Sequence, residues 1–518
     1  MTKASGDKQA TAGSIGLLWW LAGAAVLFAT CIAIRYSGQA LLEAYAFRQT
    51  QTALTSYWMQ KEGWHFAYWT PVAGFPWSVP FEFPIYQYCV ALIGELGGWN
   101  LDRVGRLVSF AWLVACLWPA FSIARRLKLP RDVALVFCAL LFTSPIYVFW
   151  GRSFMMETAA VFFSLAAISF ALDFIDSGER YGSVLLFSLC ASLGCLQKIT
   201  TTGPVVLVLG CLWSLSVLRR GEWRWREIAV AACGFAVPLL MTVIWTKYSD
   251  SVKLANPLGR QLTSGTLIAW NFGTLAQRLD PGTYAGVVWR RVMVPNAAGI
   301  VGLFLVAGAL TMRRSRAIVL WALLLFAAPI LIFTNLHVIH EYYQTANVIF
   351  LIAALAIAVG CWLPSIAPRA LVPAVTFVLM AFNLHAYYKV KTDAGLSYAA
   401  LAKRPYDTTN QPSLALAAVV RGLVPADSGL VIFGQDWASI LPYYAQRKSF
   451  AVPTFFAQYE TAWQEPQKFL GDTPLGAVVI CQSDGKEPGA EAIRQALLLH
   501  PHWHLTDAVG CSVITTGT

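Results

Sequence analysis

The sequence predicts a polytopic α-helical membrane protein with a small C-terminal α/β domain outside the membrane. Of its 518 residues, 57% are hydrophobic and 13% are charged, and the mean hydropathy is +0.56. A soluble domain carries about 25% charged residues. Apolar runs of the roughly 20 residues that a helix needs to cross a bilayer recur along the first three quarters of the chain. The last quarter instead contains short strand-like runs.

The apolar runs predict about eleven transmembrane helices, and up to 13 if short or broken helices are added. The first run has no convincing small-residue cleavage site, so we interpret it as a retained helix. The short apolar segment 85–96 is expected to lie at the interface. The predicted spans centre on residues 14–34, 104–123, 132–150, 154–175, 182–197, 203–218, 228–247, 298–312, 317–334, 346–363 and 370–388.

Cation-rich loops predict the orientation of these helices. Arginine and lysine cluster in the loops at 125–131, 219–226 and 313–316. With a cytoplasmic N-terminus, strict alternation over eleven spans places all three loops inside, as the positive-inside rule expects. The C-terminus then lies outside, and the plasma (inner) membrane is the predicted location. The net charge of +11 is explained by topology, and no pattern indicates nucleic-acid binding.

Two domains are predicted on this topology. Residues 1–390 form a transmembrane module with a large first outer loop at 36–103, and residues 391–518 form an outer α/β domain. Strands are expected at 429–433 and 476–481, and a helix is expected at 491–499. Cys481 and Cys511 fall in this outer domain and can form a disulfide if the compartment oxidises, which the sequence leaves open.

Polar residues that are unusual for a membrane protein collect at the predicted outer ends of helices. Each has an ordinary structural explanation. Glu157 suits the first turn of a helix, Arg152 is a ready ion-pair partner for it, and Lys198 can extend its amine to the interface. His337 and His340 can be hydrogen-bonded interfacial side chains, and the abundant Trp and Tyr suit an interfacial belt. The convergence of these residues on one face favours a site, because ionisable groups at membrane depth usually pair or serve one.

The pattern Glu43…Phe47-Arg48-Gln49…Thr52-Ala53 after the first span resembles the first-loop motif of the GT-C glycosyltransferases. It is most similar to glycosyltransferase family 39, whose members include the protein O-mannosyltransferases and the lipid A aminoarabinose transferase. The resemblance covers roughly residues 1–390. Many relatives carry Asp where Glu43 stands. Further segments fall where such proteins place their recurring motifs, namely 82–86, 152–157, Lys198 and 340–343, and the tail segments 433–437 and 443–448 are similar to those of bacterial members.

This resemblance implies transfer of a sugar from a polyprenyl-phosphate donor to an acceptor glycan, lipid or protein outside the cytoplasm, with inversion at the anomeric carbon. Such a reaction needs a carboxylate to deprotonate the acceptor and cations to hold the leaving phosphate. No cofactor is expected. Some GT-C enzymes use a divalent metal, but none is indicated here, because the first loop contains no Asp-x-Asp triplet. The implied general base is Glu43, the implied donor-phosphate ligands are Arg48, Arg152, Lys198, His340 and Tyr343, and the further site candidates are Gln49, Glu82, Glu157 and Tyr342.

Two other functions fit the membrane character of the sequence. A transporter or flippase of lipid-linked sugars would bind the same partners, but transporters place charges near the bilayer midplane and often contain repeats. Here the charges lie at predicted helix ends, and we find no internal repeat. A lipid-linked oligosaccharide ligase or polymerase would differ mainly in its loops. The identity of the sugar and of the acceptor is left open.

Overall fold

The computed structural model describes residues 2–177, 180–221, 224–403, 411–481, 490–499 and 502–516. The first twelve helices are α1 Thr2–Arg35, α2 Ala46–Glu62, α3 Ile85–Gly97, α4 Leu101–Ala115, α5 Leu117–Arg126, α6 Arg131–Leu141, α7 Pro145–Trp150, α8 Glu157–Ser177, α9 Tyr181–Arg220, α10 Trp225–Lys253, α11 Ile268–Phe272 and α12 Leu275–Leu279. The next twelve are α13 Val294–Asn296, α14 Gly299–Ala309, α15 Arg313–Ile332, α16 Thr334–Ile339, α17 Val348–Ile357, α18 Leu363–Ile366, α19 Leu371–Lys389, α20 Tyr398–Ala402, α21 Pro412–Leu423, α22 Ile440–Ala445, α23 Tyr459–Gln464 and α24 Ala490–Leu498.

The helices include enough long apolar segments for a multi-pass membrane protein, as predicted. Eight helices of the described chain are long and apolar enough to cross a membrane. A ninth span results if Thr283–Asn296 and Gly299–Ala309, which meet at an angle of 90°, are one broken span. The number is lower than the predicted eleven. Breaks in two of the predicted regions account for part of the difference.

The first break divides the predicted span at 132–150 into α6 and α7. Ser144 is extended (φ −61°, ψ 128°) and Pro145 begins α7. A residue before proline is pushed out of the helical region, and proline has no N–H to continue the helix. The amide oxygen of Asn296 accepts hydrogen bonds from Ser144 Oγ at 3.1 Å and from the backbone N–H of Ile146 at 3.3 Å. The freed polar groups are therefore satisfied inside the protein, as a membrane requires.

The second break lies at Lys198, within α9. Its backbone is non-helical (φ −162°, ψ 95°). A Cβ atom on Gly194 would lie only 2.6 Å from Oγ1 of Thr202, although residues eight apart on a straight helix are separated by about 12 Å. The two halves of α9 therefore fold back towards each other at Lys198. They correspond to the predicted spans 182–197 and 203–218. The total of eight helices in the described chain counts these two spans as one, because both lie within α9.

The chain forms two compact units. The bundle unit comprises Met1–Ser37, Arg106–Ile244 and Ile268–Lys403, and the sheet unit comprises Gly38–Gly105, Trp245–Leu267 and Arg404–Thr518. The predicted domain boundary at 390/391 stays a prediction, and the compact units divide the chain differently. Most of the first outer loop joins the tail rather than the helices.

The sheet unit is built on a five-stranded mixed sheet with strand order β2-β1-β3-β5-β4. Strands β1 and β3 are the two that the sequence predicts, and α24 is the predicted helix. β1 runs parallel to β2 and β3, and β5 is antiparallel to β3 and β4. A disulfide joins Cys481 on β3 to Cys511 on β5, which answers the question that the sequence left open. The strands are β1 Gly429–Phe433, β2 Ser449–Ala451, β3 Leu475–Cys481, β4 Trp503–Ala508 and β5 Cys511–Thr516.

The first outer loop belongs to the sheet unit because its backbone covers the edge of β2. The amide of Ala451 donates to the carbonyl of Val72 at 2.9 Å, and the amide of Gly74 donates to the carbonyl of Ser449 at 3.2 Å. The buried Asn256 side chain donates to three carbonyls of segment 73–76 at 2.9–3.1 Å. An open strand edge is a liability for a protein, and here the loop pairs with it.

Candidate active-site residues

Lys198 is a buried cation at the break in α9. Its residue is only 3% exposed, and so is that of Glu157. The Lys198 amine forms an ion pair with a carboxylate oxygen of Glu157. Glu157 begins α8, where the helix dipole favours a negative charge. The alternative in which Lys198 extends its amine to the interface is wrong, because the pair is enclosed by protein.

Two tyrosine rings surround the same amine. Nζ of Lys198 lies 4.4 Å from the ring centroid of Tyr343 and 5.3 Å from that of Tyr342. Both distances are within the range of cation–π attraction. The imidazole of His340 stacks on these rings, with centroids 5.2 Å from Tyr342 and 5.9 Å from Tyr343 and interplanar angles of 24°. The structure thus brings the predicted residues Lys198, Tyr342, Tyr343 and His340 together with Glu157.

His337 adds a neutral imidazole next to this group. It is fully buried, and its ring centroid lies 6.0 Å from that of Tyr343. Burial lowers the pKa of His337 to about 4, and the positive charges of Lys198 and Arg291 act in the same direction. The ring is therefore uncharged at neutral pH, so it can offer a ligand one hydrogen-bond donor and one acceptor but no positive charge. Its carbonyl is fixed by hydrogen bonds from Gln344 and Arg291, both at 2.9 Å.

Arg152 is also buried in the bundle unit, but it does not neutralise Glu157. Its guanidinium carbon lies 5.3 Å from the ring centroid of Phe149 and 5.7 Å from that of Tyr36. The expectation that Arg152 pairs with Glu157 is wrong, because Lys198 holds that carboxylate. The fold-back of α9 brings Lys198 to the first turn of α8, and sequence spacing does not reveal this.

Several buried polar atoms near Lys198 have unused hydrogen-bonding capacity. In the described part of the chain, no group hydrogen-bonds to Oε2 of Glu157 or to either ring nitrogen of His337. A buried polar atom without a partner costs about 1–3 kcal/mol. Such costs are typical of sites that a ligand or ordered water completes. A polar or anionic ligand at Lys198 would find hydrogen-bonding groups already in place.

The remaining predicted site residues lie in the sheet unit. Glu43 is 5% exposed and lies in the turn before α2. Tyr45, the last residue of this turn, has a left-handed backbone conformation (φ 52°). Gln49 donates to the carbonyl of Ala44 at 3.0 Å, which fixes the same turn. The Arg48 guanidinium forms an ion pair with Glu82 and donates to Gln51 at 2.5 Å. Glu82 therefore has a structural partner.

The turn that contains Glu43 is anchored by residues for which the sequence predicts no role in the site. The hydroxyl of Tyr444 accepts a hydrogen bond from the amide of Leu41 at 2.6 Å and donates to the buried carboxylate of Asp102 at 3.0 Å. Tyr443 donates to the same carboxylate at 2.6 Å. The tyrosine pair lies on α22, near the end of the chain, so no local signal connects it with residue 41. Asp102 reads as an ordinary first-turn acid of α4.

Solved structures with a similar fold align with nearly the whole chain. The crystal structure of ArnT from Cupriavidus metallidurans bound to undecaprenyl phosphate aligns with a TM-score of 0.64 at 14% identity, over 95% of this chain and 97% of that one. The chain has the GT-C fold. The arabinofuranosyltransferase AftD from Mycobacteria aligns with a TM-score of 0.55 at 13% identity, over 96% of this chain and 40% of that one.

The GT-C fold also occurs in an oligosaccharyltransferase from Archaeoglobus fulgidus, solved in complex with zinc and sulfate. It aligns with a TM-score of 0.53 at 11% identity, over 96% of this chain and 73% of that one. No family model matches the chain, and neither does any curated protein sequence. The resemblance that the first-loop motif predicts is thus confirmed for the fold, and the roles of single residues stay predictions.

A metal site has no support in the described residues, which contain no group of three His, Cys, Asp or Glu side chains placed to hold an ion. The carboxylates of Glu82 and Glu157 are instead engaged by Arg48 and Lys198. The expectation of a metal-free reaction stays a prediction.

Proposed function

We propose that this protein is a membrane glycosyltransferase that moves a sugar from a polyprenyl-phosphate donor to an acceptor on the extracytoplasmic face, with inversion. The observation that supports this function best is the buried Lys198, which lies at a helix break among tyrosine rings. The leaving group of such a transfer is a phosphate that stays ionised, so it requires cations rather than a protonating acid. ArnT, which shares the fold, was solved with undecaprenyl phosphate.

Lys198 is the proposed principal ligand of the donor phosphate. In the structure its charge is balanced by Glu157, and a phosphate arriving at Nζ would bring a second anion. The amine has three donors, so it can bind Glu157 and a phosphate oxygen together. The neutral His337 and the hydroxyls of Tyr342 and Tyr343 would supply further hydrogen bonds. Arg152, Arg48 and His340 are proposed as weaker contributors.

Glu43 is the proposed general base. An inverting transfer needs one carboxylate that accepts the proton of the attacking hydroxyl. Glu43 is held by a turn whose backbone is fixed at residues 41 and 44. A fixed position suits a group that must meet a substrate atom within hydrogen-bond distance.

The proposed location is the plasma (inner) membrane. In the proposed orientation the N-terminus lies in the cytoplasm and the C-terminus lies outside. The disulfide between Cys481 and Cys511 supports this orientation, because such bonds persist in oxidising compartments. Reporter fusions after residue 518 and within 36–103 are expected to be active only outside, and fusions within 219–226 only inside. A cytoplasmic C-terminus would contradict the proposal.

Turnover by the purified protein separates this function from transport. The protein in detergent, without any gradient, is incubated with a panel of polyprenyl-phosphate-linked sugars and an envelope fraction that contains lipid, glycan and protein acceptors. We expect one donor to be consumed and its sugar to appear on an acceptor. A preparation that moves lipid-linked sugar across vesicle membranes but consumes no donor in detergent would be a transporter, and the proposal would fail.

A further inference from the structure

A large cavity in the bundle unit is separate from the group around Lys198. Its volume is about 770 Å³, within the range of about 300–1,000 Å³ for ligand pockets. Its walls come from α5, α6, α8, α9, α15 and α17 and are mostly apolar, with Leu165, Val208, Leu212, Leu325 and Phe350 among the lining side chains.

The mouth of the cavity is strongly cationic. Five of its lining residues are basic and one, Asp173, is acidic; the basic ones are Arg125, Arg126, Lys128, Arg180 and Arg220. Asp173 forms ion pairs with Arg126 and with Arg180, the latter at 3.3 Å. Arg125 and Lys128 are exposed, and in the described part of the chain no carboxylate lies within ion-pair distance of either. These two cations are available to an external anion.

The mouth lies at the opposite end of α8 from the candidate active-site residues. Asp173 follows Glu157 by sixteen residues on this helix, which corresponds to about 24 Å along its axis. Three parts of the chain meet at this mouth. They are the cationic loop between α5 and α6 and the two ends of α9, with Arg180 just before the helix and Arg220 as its last residue. Both ends line the cavity because α9 folds back at Lys198. The cavity therefore does not belong to the site that contains Lys198.

We infer that this cavity binds an anionic phospholipid, with an acyl chain between the helices and the phosphate at Arg125 and Lys128. The apolar walls suit a hydrocarbon chain, and a soluble anion would gain nothing from them. The cations lie at helix ends of a membrane protein, where basic residues attract the anionic lipids of the adjacent leaflet. A zwitterionic lipid has no net charge to balance the excess of cations. The inference does not depend on the proposed glycosyltransferase activity.

Binding of phosphatidylglycerol to the full-length protein tests this inference. The protein is stripped of lipid in a neutral detergent, and phosphatidylglycerol and phosphatidylcholine of matched chains are titrated separately and followed by native mass spectrometry. We expect phosphatidylglycerol to bind with a stoichiometry near one and phosphatidylcholine to bind much more weakly. The variant Arg125→Gln/Lys128→Gln is expected to bind phosphatidylglycerol about 30-fold more weakly, since each cation near a membrane surface contributes about five- to sixfold.

Two controls determine the outcome. The variant Arg313→Gln/Arg314→Gln removes two cations from another basic loop, outside the cavity lining, and should leave the affinity within about twofold of wild type. Ala353→Phe narrows the cavity and keeps every cation, so it should weaken phosphatidylglycerol binding. Equal affinity for both lipids, equal losses in both arginine-containing variants, or glycerol phosphate binding as tightly as the lipid would each overturn the inference.

Discussion

Replacement of Lys198 by methionine tests both the structure and the proposed chemistry. Methionine approximates the length of lysine and removes the charge. The variant leaves the carboxylate of Glu157 buried without its ion-pair partner. Removal of one partner from a buried pair costs about 3–5 kcal/mol. We therefore expect Lys198→Met to lower the thermal midpoint clearly, so that its loss of activity alone cannot be interpreted.

The double variant Lys198→Met/Glu157→Gln separates stability from function. Both charges are absent, and most of the lost stability is expected to return. A phosphate at this position would still lack its charged donor. A hydrogen bond to a charged group contributes about 1.5–3 kcal/mol, which corresponds to an increase of about 10- to 100-fold in the donor KM. The single variant Glu157→Gln keeps the cation and should not raise the donor KM.

The assay measures initial rates against donor concentration for wild type, both single variants and the double variant, with thermal midpoints recorded beside them. A double variant that is as stable as wild type and retains the wild-type KM would refute the role of Lys198 in phosphate binding. The lysine would then be only the structural partner of Glu157.

Four further predictions follow from other parts of the molecule. Glu43→Gln keeps the shape of the side chain and removes the base, so turnover should fall by about 10²–10⁴-fold while donor binding, measured by equilibrium titration, survives; near-normal turnover would exclude Glu43 as the base. Tyr444→Phe removes the hydrogen bonds that anchor the turn before Glu43. Because the position of Glu43 is then less fixed, kcat should fall by about tenfold or more while the donor KM stays unchanged. A change in KM alone would contradict this positioning role. Nζ of Lys448 lies 4.4–6.0 Å from the ring centroids of three tryptophans. Lys448→Met removes this cation–π attraction and should lower the thermal midpoint by about 2–4 °C. An unchanged midpoint would show that these contacts do not stabilise the protein. Burial lowers the pKa of His337 to about 4, whereas in the unfolded chain this imidazole is protonated below about pH 6.5. The free energy of unfolding should therefore decrease as the pH falls from about 6.5 towards 4. The unfolding midpoint of His337→Asn should depend less on pH across this window, and an equal dependence would contradict the assignment.

The sequence predicts the fold class because the signals for it are local. Apolar length identifies the long helices, and short apolar runs identify β1 and β3. The break in α9 also has a local signal, since the mainly polar segment 197–202 separates two apolar stretches and Pro204 follows it. The interruption at 142–144 is harder to predict, because the run is apolar on both sides and only the short segment Thr143-Ser144-Pro145 marks it.

The contacts of the candidate site depend on packing between distant segments. Lys198 and Glu157 are 41 residues apart, and a nearer cation, Arg152, made another pairing plausible. Tyr444 and Leu41 are 403 residues apart. The grouping of the first outer loop with the tail depends on backbone hydrogen bonds to the edge of β2, for which side-chain patterns provide no signal. Residue types at helix ends therefore indicate the candidates but not their partners.

The anomeric configuration of the product shows whether the protein transfers a sugar with inversion. Purified wild-type protein and Glu43→Gln are incubated with a polyprenyl-phosphate sugar labelled with ¹³C at the anomeric carbon, together with the acceptor fraction, and the reaction is followed by NMR. We expect wild type to convert the phosphate-linked signal into that of a glycoside of inverted configuration, while Glu43→Gln leaves the donor signal almost unchanged. A product of retained configuration, or complete stability of every donor in the panel, would contradict this expectation.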